Sequence, residues 1–231
     1  MGADQDSGDV ASEPSASAVS FITTEHFTLQ GARSATIAES TGRASMFLTS
    51  VSGGLIAFGL VATATKVGGA FFAFGLVLLP TLAFVGLVTF ERALQSGIED
   101  LGYARRIARL RAYYFDKAPE LAPYLLRPEQ RLLPEQRLLA KGLGRGYYMQ
   151  GFRTVAGMVG VITAILAGSE VGLAVATAFD APAAALVSGS LFGLVVLLAL
   201  MRYQLHAWAR AMGVSIGGDD AAQTVPDDEP S

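Results

Sequence analysis

The chain has 231 residues, of which 52% are hydrophobic and only 16% charged, with a formal net charge of -3. That composition is too apolar for an ordinary soluble domain, and with acids crowding both ends and basic residues filling the middle it carries no nucleic-acid footprint. The absence of cysteine rules out disulfides, thiolate metal sites and cysteine nucleophiles.

Residues 1–20 are rich in Asp, Ser, Ala and Gly and read as a disordered acidic tail. They hold neither a basic n-region nor an apolar h-region, so no cleavable signal peptide is expected and the stretch from Met46 becomes the first signal anchor. Residues 21–45 are expected to form an N-terminal cytoplasmic helix capped at Thr24, with Phe27, Gly31, Ala35, Ala38 and Gly42 along one small side. A helix carrying two glycines is weak by propensity, which calls for close packing on that side or for continuity with the span behind it.

Ala70–Phe90 is the longest clean run, 21 residues without a charge, and at 1.5 Å per residue it crosses a bilayer as a helix. Met46–Thr65 precedes it as a first span, and the short link from Lys66 to Gly69 leaves room only for a tight antiparallel turn, so residues 46–90 form transmembrane hairpin 1. Pro80 lies inside the second span, where the loss of one backbone hydrogen bond makes it a candidate hinge.

Residues 91–153 are the polar part between the second and third spans. Their first third reads as a helix continuing out of the membrane to about Asp116, loaded with Arg105, Arg106, Arg109 and Arg111. Pro119, Pro123, Pro128 and Pro134 then divide the segment, and PEQRLL occurs twice in tandem, at Pro128–Leu133 and Pro134–Leu139. Each proline suits the first turn of a short helix. The glycine-rich GLGRGYY resembles a phosphate loop only in composition, because no strand precedes it and no Lys with Ser or Thr follows.

Residues 154–201 are expected to form transmembrane hairpin 2, a third span from Thr154 interrupted by Glu170 and a fourth from about Ala183 to Met201. Arg202, Tyr203, His206, Trp208 and Arg210 close it as interfacial anchors, and residues 202–231 form a cytoplasmic C-terminal tail ending in an acidic stretch. The fold class that follows is an all-α integral membrane protein, four transmembrane helices as two hairpins with a central cytoplasmic helical insert.

Basic residues set the orientation. Arg33 and Arg43, the 12 Lys and Arg between Glu91 and Arg153, and Arg202 and Arg210 fall on one side, against Lys66 alone on the other. The positive-inside rule therefore places both termini and the insert in the cytoplasm of a plasma membrane. Arg outnumbers Lys 14 to 3, which points to a bacterial, GC-rich source.

No nucleophile, metal or phosphate constellation is legible, so neither an enzyme nor a cofactor is expected. Two features of the second hairpin stand out. Gly168 and Gly172, and likewise Gly189 and Gly193, form GxxxG pairs that let membrane helices approach closely. Glu170 is the one acid in an apolar span, about 24 Å along a helix that starts at Thr154 and so an interfacial, snorkelling residue, or a candidate proton or ion site near the midplane if the helix starts nearer Val159; at two residues from either glycine it turns about 200° away from them. The leading expectation is a non-enzymatic, homo-oligomeric membrane protein whose partners are the lipid bilayer and a cytoplasmic protein bound through residues 91–153. The alternatives are an oligomeric pore or membrane-perturbing effector, broadly similar in arrangement to small bacterial membrane effectors of defence systems though with no family motif, and a small proton- or cation-coupled transporter using Glu170.

Overall fold

The computed structural model describes residues 16–117, 154–179 and 181–213. They form four helices: α1 (Ala16–Thr65), α2 (Gly69–Lys117), α3 (Val155–Phe179) and α4 (Pro182–Met212). The tandem PEQRLL copies, the glycine-rich return and both acidic tail ends lie outside the described residues. All four helices are long and apolar enough to cross a membrane. Between 11% and 33% of each apolar window is buried, so most of its large side chains, Ile56, Leu60, Val77, Phe84, Ile165 and Leu186 among them, face outward as lipid-facing side chains do.

α1 is a single helix of 50 residues, with no break where the polar N-terminal part meets the apolar run. It begins at Ala16, so Thr24 is not its cap. The Thr24 hydroxyl instead donates to the Ser20 carbonyl at 2.9 Å, and Thr23, Thr28, Thr36, Thr49 and Ser50 make the same bond four residues back. Residues that favour caps are thus absorbed into a helix interior by bonding its own carbonyls. The small side of α1 also turns outward: Phe27 is 70% exposed and a Cβ at Gly31 or Gly42 would meet nothing within 4 Å. The buried positions are Leu29, Ser40, Ala44, Phe47 and Val51, on the side that packs on α2.

The turn after α1 places Lys66 and Val67 at φ of 49° and 57°. Val67 N–H donates to the Ala62 carbonyl at 3.1 Å and Gly68 N–H to that of Thr65 at 3.0 Å, which closes the helix end. α2 then runs unbroken for 49 residues, through Pro80 and past Gly97 and Gly102 to Lys117. Pro80 deprives the Leu76 carbonyl of its amide partner, one local defect in an otherwise continuous ladder.

Extensive packing joins α1 to α2, α2 to α3 and α3 to α4, while α1 with α3 and α2 with α4 touch only marginally. Arg33 meets Asp100, Phe47 lies against Gly86 and Phe58 stacks on Phe71, so α1 and α2 run in opposite directions along their whole length. The core forms where Phe47 and Val51 of α1, Leu82, Phe90 and Leu94 of α2, and Ala156 and Val159 of α3 converge. At the polar end Arg33 grips Asp100 with two bonds, Nε to Oδ1 at 2.6 Å and Nη2 to Oδ2 at 3.2 Å. α4 extends past its apolar run to reach α2 there: Tyr203 donates to Glu91 at 3.2 Å, Trp208 covers Gly97, and Arg105 donates to the Ala211 carbonyl at 2.9 Å.

Two outcomes follow for thermal melting of the full chain in detergent. Val67→Gly removes a β-branched residue from the left-handed region and is expected to raise stability by about 1 kcal/mol. Asp100→Asn weakens a two-pronged, partly buried ion pair and is expected to lower stability by about 1 kcal/mol, with Arg33→Gln adding little more in the double variant.

Candidate functional site

The α3–α4 seam is built of glycine. A Cβ on Gly168 would stand 2.6 Å from the Gly189 carbonyl oxygen and 3.0 Å from the Gly193 Cα. One on Gly189 would stand 2.7 Å from the Gly168 oxygen and 3.1 Å from the Gly172 Cα. Both distances to carbonyl oxygen are shorter than real Cβ contacts, and the obstacle is backbone, which cannot swing aside. Gly172 and Gly193 extend the same seam, resting against the carbonyls of Ala185 and Ala164 at 3.1 and 3.0 Å from an added Cβ. Ala164 and Ala185 belong to the seam although no GxxxG pattern includes them; both are buried, and their four-residue spacing from Gly168 and Gly189 was the available signal.

Three more glycines do similar service elsewhere. Gly86 admits Phe47 of α1 and the Thr163 hydroxyl of α3 to the α2 backbone at one level. Gly75 receives Leu173 and Phe58, and Gly160 receives the Phe90 ring, whose atoms would lie 3.2 Å from a Cβ. In a sequence with 26 glycines these were not separable from the rest, because glycine in a span shows that a side chain is missing and not which neighbour fills the place.

Glu170 lies on another face of α3. It follows Thr163 by seven residues, a net turn of about 20°, so it continues the stripe that Thr163 and Leu173 present to α2. Thr163 meets Gly86 and Leu173 meets Gly75, which puts Glu170 about level with Leu79, next to Pro80. It is half-buried. From the start of α3 it stands about 22 Å along the axis, and α3 continues to Phe179, about 14 Å beyond it. The carboxylate and the proline defect of α2 therefore share one level of the structure.

The start of α3 is polar and closed. The Thr154 hydroxyl accepts the Gly157 amide at 2.9 Å as an N-cap and the Gln204 amide at 3.1 Å, tying α3 to α4 where Gln204 is 1% exposed. At the opposite end an apolar cleft of about 940 Å³ opens beside the seam, bordered by Leu55 and Phe58 of α1, Leu79 of α2 and Leu194 and Leu197 of α4. Among the described residues no group of three His, Asp or Glu side chains is placed to hold a metal ion. No family model, no curated protein and no solved structure matches this chain.

The seam predicts a graded response to substitution. Gly168→Ala or Gly189→Ala must push the helices apart and is expected to cost about 1–3 kcal/mol, with leucine worse. Gly53→Ala, where a Cβ would meet nothing within 4 Å, is expected to be neutral or stabilising by up to about 1 kcal/mol. Thermal melting of the full chain in detergent reports the seam: stability should fall in Gly168→Leu and hold in Glu170→Gln. Equal loss in both would show that the carboxylate supports the seam.

Proposed function

We propose that this chain is a non-enzymatic, self-associating membrane protein that couples a cytoplasmic helical surface to a membrane-embedded helix layer. In this reading α1 with α2, and α3 with α4, are two membrane hairpins. Both termini and the insert between Glu91 and Arg153 lie on the cytoplasmic side of a bacterial plasma membrane, where 16 of the 17 basic residues then reside. The insert, with the polar half of α1, is the surface for a cytoplasmic protein partner.

The observation that carries this reading is the continuity of α1 and α2. Each passes from a polar segment into an apolar one without a break, and the two are locked together at the polar end by Arg33 and Asp100. A partner that shifts the polar ends moves rigid rods, so the displacement reaches the spans instead of being lost in a loop. Self-association is supported by the open edges of the layer. α1 is packed extensively only by α2 and α4 only by α3, leaving each outer helix with a free side in lipid, where packing of helices is driven by close contact.

A second reading, a proton- or cation-coupled transporter or a pore, is favoured by one observation: Glu170, the ionisable group of an apolar helix, lies on the α2-facing stripe of α3 at the level of Leu79, one residue from the break that Pro80 makes in the α2 hydrogen-bond ladder. Among the described residues no charged side chain lines the apolar cleft, which would have to rearrange before it could conduct.

The mass of the protein stripped of detergent contribution is expected to be at least twice the 24.1 kDa chain; a monomer at all concentrations would overturn self-association. In reconstituted liposomes no ion flux is expected from the protein alone. Flux that needs a proton gradient and disappears in Glu170→Gln would replace this reading with transport, and gradient-independent leak would replace it with a pore. For orientation, an impermeant thiol reagent applied to intact cells should label a cysteine placed at Lys66 and spare one at Ala112.

A further inference from the structure

α2 and α4 run in the same direction at the polar end, as the pairs Glu91 with Tyr203, Gly97 with Trp208 and Arg105 with Ala211 show. α4 stops first. Gly213, at φ 70°, closes it by donating to the Ala209 and Arg210 carbonyls, level with Arg105. α2 continues for 12 residues to Lys117, about 18 Å at 1.5 Å per residue. On that extension Arg105, Arg106 and Arg109 are exposed and fall within a 100° arc. The arc prolongs the side of α2 that α4 occupies, opposite the side that meets α1 through Asp100 and Tyr114. Where α4 ends, a strip of α2 facing the same way becomes arginine.

We infer that this arginine strip is the docking site for the chain's own acidic C-terminal segment, Asp219–Glu229. The segment starts from the right place, since the chain leaves α4 beside Arg105. It has the right charge: Asp219, Asp220, Asp227, Asp228 and Glu229 with no Lys or Arg after Arg210. It has the right reach, because the six residues from Gly213 to Asp219 span at most about 20 Å, and Arg109 lies only about 6 Å beyond Arg105 along α2. An arginine fork donates to both oxygens of a carboxylate at once. Single exposed pairs are weak and screened beyond about 8 Å at physiological salt, but a tether of this length holds the acids at millimolar effective concentration, so several pairs formed together populate the docked arrangement for part of the time. An acidic partner would bind this strip only by displacing the tail. The inference goes beyond the proposed function and does not depend on self-association.

The cysteine-free chain permits a direct test by spin labels at Ala112→Cys and Ala221→Cys in the full-length protein, with pulsed electron-electron distances measured in nanodiscs. A short-distance population is expected at low ionic strength, falling about threefold or more in 1 M salt and in the Arg106→Gln/Arg109→Gln variant, which leaves the Arg105 contact to α4 in place. Unchanged melting of that variant confirms that the fold is intact. A distribution indifferent to salt and to the arginine variant overturns the inference. So does a short distance that vanishes when labelled protein is diluted with unlabelled protein, which would mean that the tail reaches a second copy. Gain of the short population on deleting residues 1–15 would also overturn it, since the acidic N-terminal stretch would then be the occupant of the strip.

Discussion

Close approach at Gly86 is the constraint on which the helix layer depends. Because α2 lacks a side chain there, the Phe47 ring of α1 and the Thr163 hydroxyl of α3 can both reach its backbone at one level. Phe47 is 1% exposed and Val159, one turn from Thr163, is fully buried, so this three-helix junction is closely packed. Hydrophobic burial cannot provide the drive inside a bilayer, where lipid is as apolar as leucine; shape and dispersion must. A glycine at the junction brings three surfaces into van der Waals contact where two would otherwise touch. The seam between α3 and α4 repeats the device with backbone against backbone, and it fastens the fourth helix to a layer already set by the first three.

The polar end is held by a different chemistry. Arg33 with Asp100, Tyr203 with Glu91, Gln204 with Thr154 and Arg105 with the end of α4 are all directional bonds between groups that water would otherwise solvate. Gly97 lets the Trp208 indole lie against α2 in their midst. These contacts are individually modest, yet they fix the rotation of each helix about its axis, which apolar packing against lipid leaves free. Rods fixed in rotation at one end carry that orientation along their length into the apolar segments.

The layer is open. Its order is α1, α2, α3, α4, with the first and last helices not packed extensively on one another, and the apolar cleft lies between them over the glycine seam. An unclosed layer in lipid has edges available to a second copy. It also leaves Glu170 on the α2-facing stripe of α3, at the level of Leu79 and turned away from the seam. The glycine seam and Glu170 thus occupy separate faces of α3.

Four apolar helices were legible in the amino-acid order because the bilayer dictates their length and forbids charge, a demand that acts on consecutive residues and needs no partner. The run of α2 past Phe90 to Lys117 was legible for a similar reason, since no proline interrupts it. The start of α1 was not: hydroxyl residues signal caps, but Thr24 satisfies itself on the Ser20 carbonyl inside a longer helix, and only the formed helix decides between the two. Nor was the packed side of α1, where the small residues Gly31 and Gly42 stand open while Leu29, Ser40 and Phe47 are buried, because periodicity defines a face without naming the neighbour it meets. The same holds for the seam. Spacing along each chain marks Gly168, Gly172, Gly189 and Gly193 as able to approach another backbone, whereas their register against one another, the inclusion of Ala164 and Ala185, and the turn of Glu170 toward α2 depend on how whole helices rotate and slide. Those are relations between residues far apart in the chain, and only the assembled helices settle them.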